Sequence, residues 1–299
     1  MNKISYLCSG LVLLFHLKGE TATDKRNLKH NNAMKRFIFL SISLLFALNA
    51  VAQTQVIAHR GYHATDGSCR NSIASLKKAQ KLGIFGSECD VNLTKDGEVL
   101  VCHGGMHPDR SIYKDKSLER VDIQKSTKAQ VQAIKLENGE TMPTLDEYLA
   151  QAKKDKKTKL IIEVKKHATP ARETEVVEKT VAKVAEYGLE NQVEYIAFRP
   201  FVCQELLRLA PKGTKIAYLN GDYTPEYVAG MGLTGIDYKY TVLQKHPKWI
   251  KQAQKRGLTV NVWTVDDEAT LRWCIEQGVD YITTDNPVLA KKLIKEMCK

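Results

Sequence analysis

The sequence predicts an α/β protein built as a (β/α)8 barrel, with a small hairpin excursion after the second strand. Three observations carry this. Short apolar runs alternate with amphipathic helical patterns from about residue 53 to the C-terminus, the signature of repeated β-then-α units. Nine strand candidates are found, one more than a barrel needs, and the surplus has a local cause: Asp96-Gly97 is a strong hairpin signal, so residues 98–102 turn back off the second stave. No glycine-rich nucleotide loop follows the first strand, which disfavours a doubly wound open sheet.

Taken in order, "VIAHRG" (56–61) is the first strand, delivering His59 and Arg60 at its end. "NSIASLKKAQKLG" follows, with Ile73, Leu76, Ala79 and Leu82 on one helical face and Gly83 closing it. "GSECDVNLT" is the second strand and "KDGEVLVCHGG" the hairpin return. A polar excursion covers roughly 105–140, and "PTLDEYLAQAKK" leads as a helix into the strand "KLIIEVK". "VEYIAF", "TKIAYLN", "GIDYK", "LTVNVWTV" and "VDYITTD" complete the staves, with helical patterns between most of them.

Composition fits a globular protein: 43% apolar and 26% charged. Residues 34–52, "MKRFIFLSISLLFALNAVA", have the basic start, short apolar stretch and small-residue end of a secretory signal peptide cut after Ala52. Residues 1–33 then read as an over-called gene start, and 53–299 as the barrel domain of an exported protein, periplasmic or secreted, with no transmembrane segment. Removing 1–52 leaves 38 Lys+Arg against 32 Asp+Glu, a net charge of +6 that suits an anionic substrate. Basic residues do not cluster with aromatics in one tract, which argues against nucleic acid. Six cysteines remain without CxxC spacing, so free buried thiols are expected rather than a zinc site. Oligomeric state is not fixed by the sequence.

In a (β/α)8 barrel the strand C-termini share one face. Those ends carry His59 and Arg60, then Glu88 and Asp90, His103 on the hairpin return, Glu163 and Lys165, Trp263, and Asp285. Residues two apart on a strand face one way, so Glu88 and Asp90 project together while Cys89 points away. Three carboxylates at one mouth repel unless a cation joins them, and oxygen ligands suit Ca²⁺ or Mg²⁺. Two histidines beside it form an acid–base pair, and Arg60 and Lys165 suit a phosphate.

With these residues in place, "HRG", "ECDVNLTKDGEVLVCHGG", "IIEVK" and "VNVWTVDDEATLRWCIEQGVDYITTDNP" resemble, in order and spacing from Val56 to Pro287, the glycerophosphodiester phosphodiesterases. The resemblance implies a TIM barrel that cleaves a small phosphodiester to glycerol 3-phosphate and an alcohol. It assigns His59 and His103 to acid–base work, Glu88, Asp90 and Glu163 to a divalent cation, Arg60 and Lys165 to the phosphate, and Trp263 to the pocket lining. The chain departs from the pattern at Arg70, where an acidic residue is usual, and at Gly104, where Asp is usual. Arg70 weakens cation binding or adds positive charge for a more anionic substrate. Arg199 replaces the usual start of a later strand end, with no interpretation from sequence. The rival readings are a phosphodiesterase for another head group, such as a lysophospholipid or phosphoinositide, yielding a cyclic phosphate, and a non-catalytic phosphate-binding barrel.

Overall fold

A computed structural model of the chain describes residues 53–104 and 121–297. The extension and signal peptide expected at 1–33 and 34–52 lie outside the described residues, as does the first part of the polar excursion. Eight strands form a parallel sheet: β1 (Gln55–Ala58), β2 (Gly86–Leu93), β4 (Lys159–Val164), β5 (Val193–Ala197), β6 (Ile216–Tyr218), β7 (Gly235–Lys239), β8 (Thr259–Trp263) and β9 (Tyr281–Thr284). Their order is β1-β9-β8-β7-β6-β5-β4-β2, and pairing of Ile57 with Gly86 and Ala58 with Ser87 closes the ring. The short β3 (Val99–Val101) runs antiparallel to β2, with Val91 opposite Val101. The fold is the expected (β/α)8 barrel with its hairpin.

Alternation along each stave separates two environments. On β4, Leu160, Ile162 and Val164 face outward into the main core, while Ile161 faces the barrel interior with Ile57, Ile196 and Leu219. The outer core is sealed by the helices α1 (Ile73–Leu82), α3 (Leu145–Ala152), α4 (Pro170–Glu186), α5 (Pro200–Leu209), α6 (Pro225–Gly230), α7 (Tyr240–Lys245), α8 (Lys248–Lys255), α9 (Glu268–Gln277) and α10 (Pro287–Met297), with α2 (Lys128–Gln132) in the excursion. None of the described helices is long and apolar enough to cross a membrane. Local chemistry fixes their ends. Ser72 caps α1 by accepting from the Ser75 amide, and Gly83 ends it at φ 59°, a left-handed value glycine adopts freely. Thr144 and Glu147 form a capping box on α3.

The second part of the excursion differs from the polar loop the sequence suggests. Residues 121–142 carry a 3₁₀ turn (Ile123–Lys125), α2, and a small apolar core of their own, with Ile123, Val131, Ile134, Leu136 and Met142 buried against Leu100, Cys69 and Cys102. The apolar residues are spaced too widely to read as an element, yet they suffice to seat this segment on the hairpin. Glu140 then reaches α1, accepting the Ile73 amide at 2.9 Å and the Ala74 amide at 3.2 Å. A carboxylate on the unpaired amides of a helix start is favourable. Cys69, Cys89, Cys102, Cys203 and Cys274 are free and buried, as composition implied.

Candidate active site

The first stave ends in a backbone knot. The His59 amide donates to Thr284 O at 3.0 Å, continuing the β1–β9 ladder. Arg60 then takes φ 53°, a left-handed conformation that is costly for a residue with a side chain and is kept only where the surroundings enforce it. They do. The Arg60 amide donates to Glu88 Oε2 at 2.8 Å, and its carbonyl accepts from the Asn71 amide at 3.0 Å and the Ser75 hydroxyl at 3.1 Å. Gly61 follows at φ 76°, where an added Cβ would collide with Ser75. "HRG" is thus a turn that sets Arg60 against Glu88 and Asp90 of the second stave.

There the carboxylates meet. Asp90 and Glu163 are register partners on β2 and β4, and Glu88 sits one inward position before Asp90. One oxygen from each lies within 4.8 Å of the others. Asp90, 1% exposed, accepts from Asn71 Nδ2 at 2.9 Å and stands 3.2 Å from both Arg60 Nε and Lys165 Nζ. Lys165 also stands 2.6 Å from Glu163. The three therefore titrate apart. Burial pushes Asp90 upward, but Lys165 and Arg60 outweigh it and hold the carboxyl well below the usual range. Glu88 is driven well above its ordinary value by burial and by the charges of Asp90 and Glu163. Glu163 rises to about 7, through burial and Asp90 against the pull of Lys165.

His59 Nδ1 lies 2.6 Å from Asp285 Oδ1, leaving Nε2 as the nitrogen free for proton transfer. His63 Nε2 stands 3.1 Å from the same oxygen, and Arg70 Nη2 is 3.3 Å from the other. Burial would raise the Asp285 carboxyl, but the two histidines hold it well below its ordinary range. Burial lowers the His59 pKa despite that carboxylate.

A cavity of about 210 Å³ opens over these groups. Its charged side is His59, Arg60, Glu88, His103, Glu163 and Lys165; its other side is Ile196, Phe198, Leu219 and Trp263, over a floor that includes Asp237 and Thr283. Trp263 packs edge-on against Phe198 at 5.5 Å, and its Nε1 donates to the Asp237 carbonyl at 2.8 Å. The structure thus brings together His59, Arg60, Glu88, Asp90, His103, Glu163, Lys165 and Trp263. It places Arg70 on Asp285 instead of against the cavity wall. Gly104 gives His103 no neighbouring carboxylate from its own chain position. Arg199 pairs with buried Glu173 at 3.3 Å, away from the cavity. Sequence reasoning missed His63, Asp237 and the wall from β5 and β6. A period-two reading of "GIDYK", inward at Gly235 and Asp237, was the available signal for Asp237.

Residues 59–289 match the family described as Glycerophosphoryl diester phosphodiesterase. The chain belongs to that family. It is an enzyme of that class, a phosphoric diester hydrolase. A glycerophosphodiester phosphodiesterase of Caldanaerobacter subterraneus is 30% identical over 250 residues, covering 82% of this chain and 99% of the relative. The crystal structure of a glycerophosphodiester phosphodiesterase from Parabacteroides distasonis superposes with a TM-score of 0.76 at 41% identity, covering 83% of this chain and 99% of that one. An Oleispira antarctica phosphodiesterase, solved in complex with the product sn-glycerol-3-phosphate, shares the fold with a TM-score of 0.66 at 22% identity, over 81% of this chain and 97% of that one.

Members of this family generally depend on a divalent metal, and the donor set here fits one. Three buried carboxylates converge with oxygen atoms only, two of them carrying raised proton affinities that a hard cation would relieve. The second cluster of possible ligands, His59, His63 and Asp285, is different. The Arg70 guanidinium already stands on its only carboxylate, which suits a hydrogen-bonded clamp rather than a second cation.

Proposed function

We propose that this enzyme hydrolyses glycerophosphodiesters to glycerol 3-phosphate and an alcohol, with a divalent cation held by Glu88, Asp90 and Glu163 and with His59 and His103 moving the protons. The observation that carries the proposal is one cavity lined by both histidines, two of the three converging carboxylates and the Arg60 and Lys165 cations. When bound, the cation supplies Lewis-acid neutralisation of phosphate charge; Ca²⁺ and Mg²⁺ both suit the oxygen donors.

The chain's own groups do the rest. Arg60 and Lys165 grip the phosphate oxygens and offset charge as it builds on phosphorus. Ionised Asp285 accepts the Nδ1 proton of His59, so Nε2 carries a lone pair. His59, neutral at working pH, takes the proton from the attacking oxygen, which belongs to water or to the neighbouring glycerol hydroxyl; in the second case a cyclic phosphate forms, and water then opens its ring to give glycerol 3-phosphate. His103 delivers a proton to the leaving alcohol as the phosphorus–oxygen bond breaks. The apolar side receives the carbon skeleton of the substrate. We also propose that the enzyme acts outside the cytoplasm, on the strength of the signal-like segment 34–52; N-terminal sequencing of exported protein beginning at Gln53 tests that.

The activity assay is release of glycerol 3-phosphate from glycerophosphocholine by the purified protein, compared with His59→Ala and His103→Ala. Each variant is expected to lose at least 100-fold in kcat. Full activity in both would remove the histidine pair from the reaction.

A further inference from the structure

The diesterase chemistry engages the charged side of the cavity and leaves its floor without a task. On β7, Ile236 and Tyr238 face the outer core, so Asp237 points into the barrel. It lines the cavity at 2% exposure, and its Oδ1 has no hydrogen-bond partner among the described residues. Asn261, its register partner on β8, attends the carboxyl group and in turn bonds Thr283 Oγ1 at 2.9 Å. Above this polar floor stand Ile196, Leu219 and Trp263. A buried acceptor left without a donor is costly, which marks Asp237 as a group that something entering the cavity satisfies.

The entrant is an alcohol rather than a cation: among the described residues Asp237 belongs to neither group of converging metal ligands, and its neighbours on the floor, Asn261 and Thr283, are uncharged. Its unpartnered Oδ1 accepts from a hydroxyl, and burial, which raises the proton affinity of the carboxyl, agrees with an uncharged partner. The cavity, about 210 Å³, takes a phosphate over Arg60 and Lys165 and one three-carbon unit beside it. Methylene groups meet the apolar wall, and the hydroxyl farthest from phosphorus reaches the floor.

We propose that Asp237 is a specificity-determining residue that reads the free terminal hydroxyl of the glycerol moiety, so that the enzyme accepts deacylated glycerophosphodiesters and rejects lysophospholipids acylated there. This rests on the diesterase reading. It goes beyond it by choosing between two substrate classes that share the phosphate chemistry. An acyl ester removes the donor and leaves Asp237 buried and unsatisfied, the situation in which polar sites discriminate most strongly.

The test compares kcat/KM on glycerophosphocholine and on 2-hydroxypropyl phosphocholine, which keeps the middle hydroxyl and lacks the terminal one. The wild-type enzyme is expected to favour glycerophosphocholine about 100-fold. In Asp237→Leu that preference falls to about threefold or less, with turnover of the deoxy compound retained. Asp237→Asn keeps an acceptor and discriminates at least tenfold, and it carries the test if the leucine variant does not fold. Equal wild-type rates on the two compounds, or an undiminished preference in Asp237→Leu, would overturn the proposal. So would a preference set by the charge of the head group and unaffected by the terminal hydroxyl. Calorimetry of sn-glycerol 3-phosphate against 2-hydroxypropyl phosphate separates the Asp237 contact from diesterase activity. If neither diester is turned over, the diesterase reading falls. A tenfold tighter wild-type binding of glycerol 3-phosphate, lost in Asp237→Leu, would still uphold the contact, and equal binding would reject it.

Discussion

The two sides of the cavity are built from different strands and by different rules. At the C-terminal ends of β1, β2 and β4 the side chains facing the cavity are charged, and nearly every one is tied to another: Arg60 to Glu88 and Asp90, Lys165 to Asp90 and Glu163, with Asn71 on Asp90. At the ends of β5, β6 and β8 they are Ile196, Leu219 and Trp263, held by packing. The two sides divide the labour. The charged side is pre-organised for a reaction at phosphorus. The apolar side, with Asp237 beneath it, shapes which carbon skeleton lies beside that phosphorus. Substitutions on the first side should strike kcat, and those on the second should strike KM and substrate choice.

The sharpest way to break this division is at the carboxylates. Glu88→Gln is expected to lose about 1,000-fold or more in kcat. It should fold as well as the parent or better, because it removes one of three mutually repelling buried acids and its amide oxygen can still accept the Arg60 N–H. Thermal melts beside steady-state rates check both parts, and a large loss of stability would show the cluster to be scaffolding.

Next in size is the clamp on His59. Asp285→Asn should cost about 100-fold in kcat with little change in KM. The Asp285 hydrogen bond raises the His59 pKa against the larger effect of burial. Losing it lowers that pKa further, so the acidic limb of the kcat profile should move to lower pH. A limb that stays in place would detach Asp285 from His59.

On the opposite side the effects are smaller and of another kind. Phe198→Ala removes the ring on which Trp263 packs and is expected to raise KM about tenfold with kcat within a factor of two. An equal fall in kcat with unchanged KM would erase the distinction between the two sides.

The last test concerns support rather than chemistry. His167 is buried, with Nε2 accepting the Leu93 amide at 3.0 Å and Nδ1 donating to the Lys165 carbonyl at 2.8 Å, so it braces the end of β2 against the strand that carries Lys165. Burial lowers its pKa from 6.5 to about 4. The unfolded chain therefore binds a proton between these values that the folded chain refuses. Folding stability should fall as pH drops from 6.5 toward 4, by up to about 3 kcal/mol from this residue. Urea midpoints across that range, for the parent and His167→Gln, should converge as pH falls; parallel curves would contradict the assignment.

The same contrast explains what was legible in the sequence. The staves, the hairpin at Asp96-Gly97 and the charged side were visible because strand ends with paired charges are uncommon and their two-residue spacing states which face they share. The apolar wall was hidden because the faces of "VEYIAF" and "TKIAYLN" that carry it also hold Glu194 and Lys215, so alternation alone reads them as solvent-facing, and only the closed ring turns Ile196, Phe198 and Leu219 inward. His63 was hidden by the turn through Arg60 and Gly61, whose left-handed backbone folds it back onto Asp285. Arg70 was visible as a departure, but its role was not: with a carboxylate 3.3 Å away on another stave, it tightens the histidine clamp, where sequence placed it beside the cation or the substrate.

Whether a cation works at the three carboxylates is decided by the metal dependence of glycerol 3-phosphate release from glycerophosphocholine, measured on enzyme treated with EDTA and then supplied with Ca²⁺ or Mg²⁺. Chelation is expected to abolish release and one of the two ions to restore it, with Glu88→Gln restored by neither. Undiminished release after complete chelation would contradict a cation held by Glu88, Asp90 and Glu163.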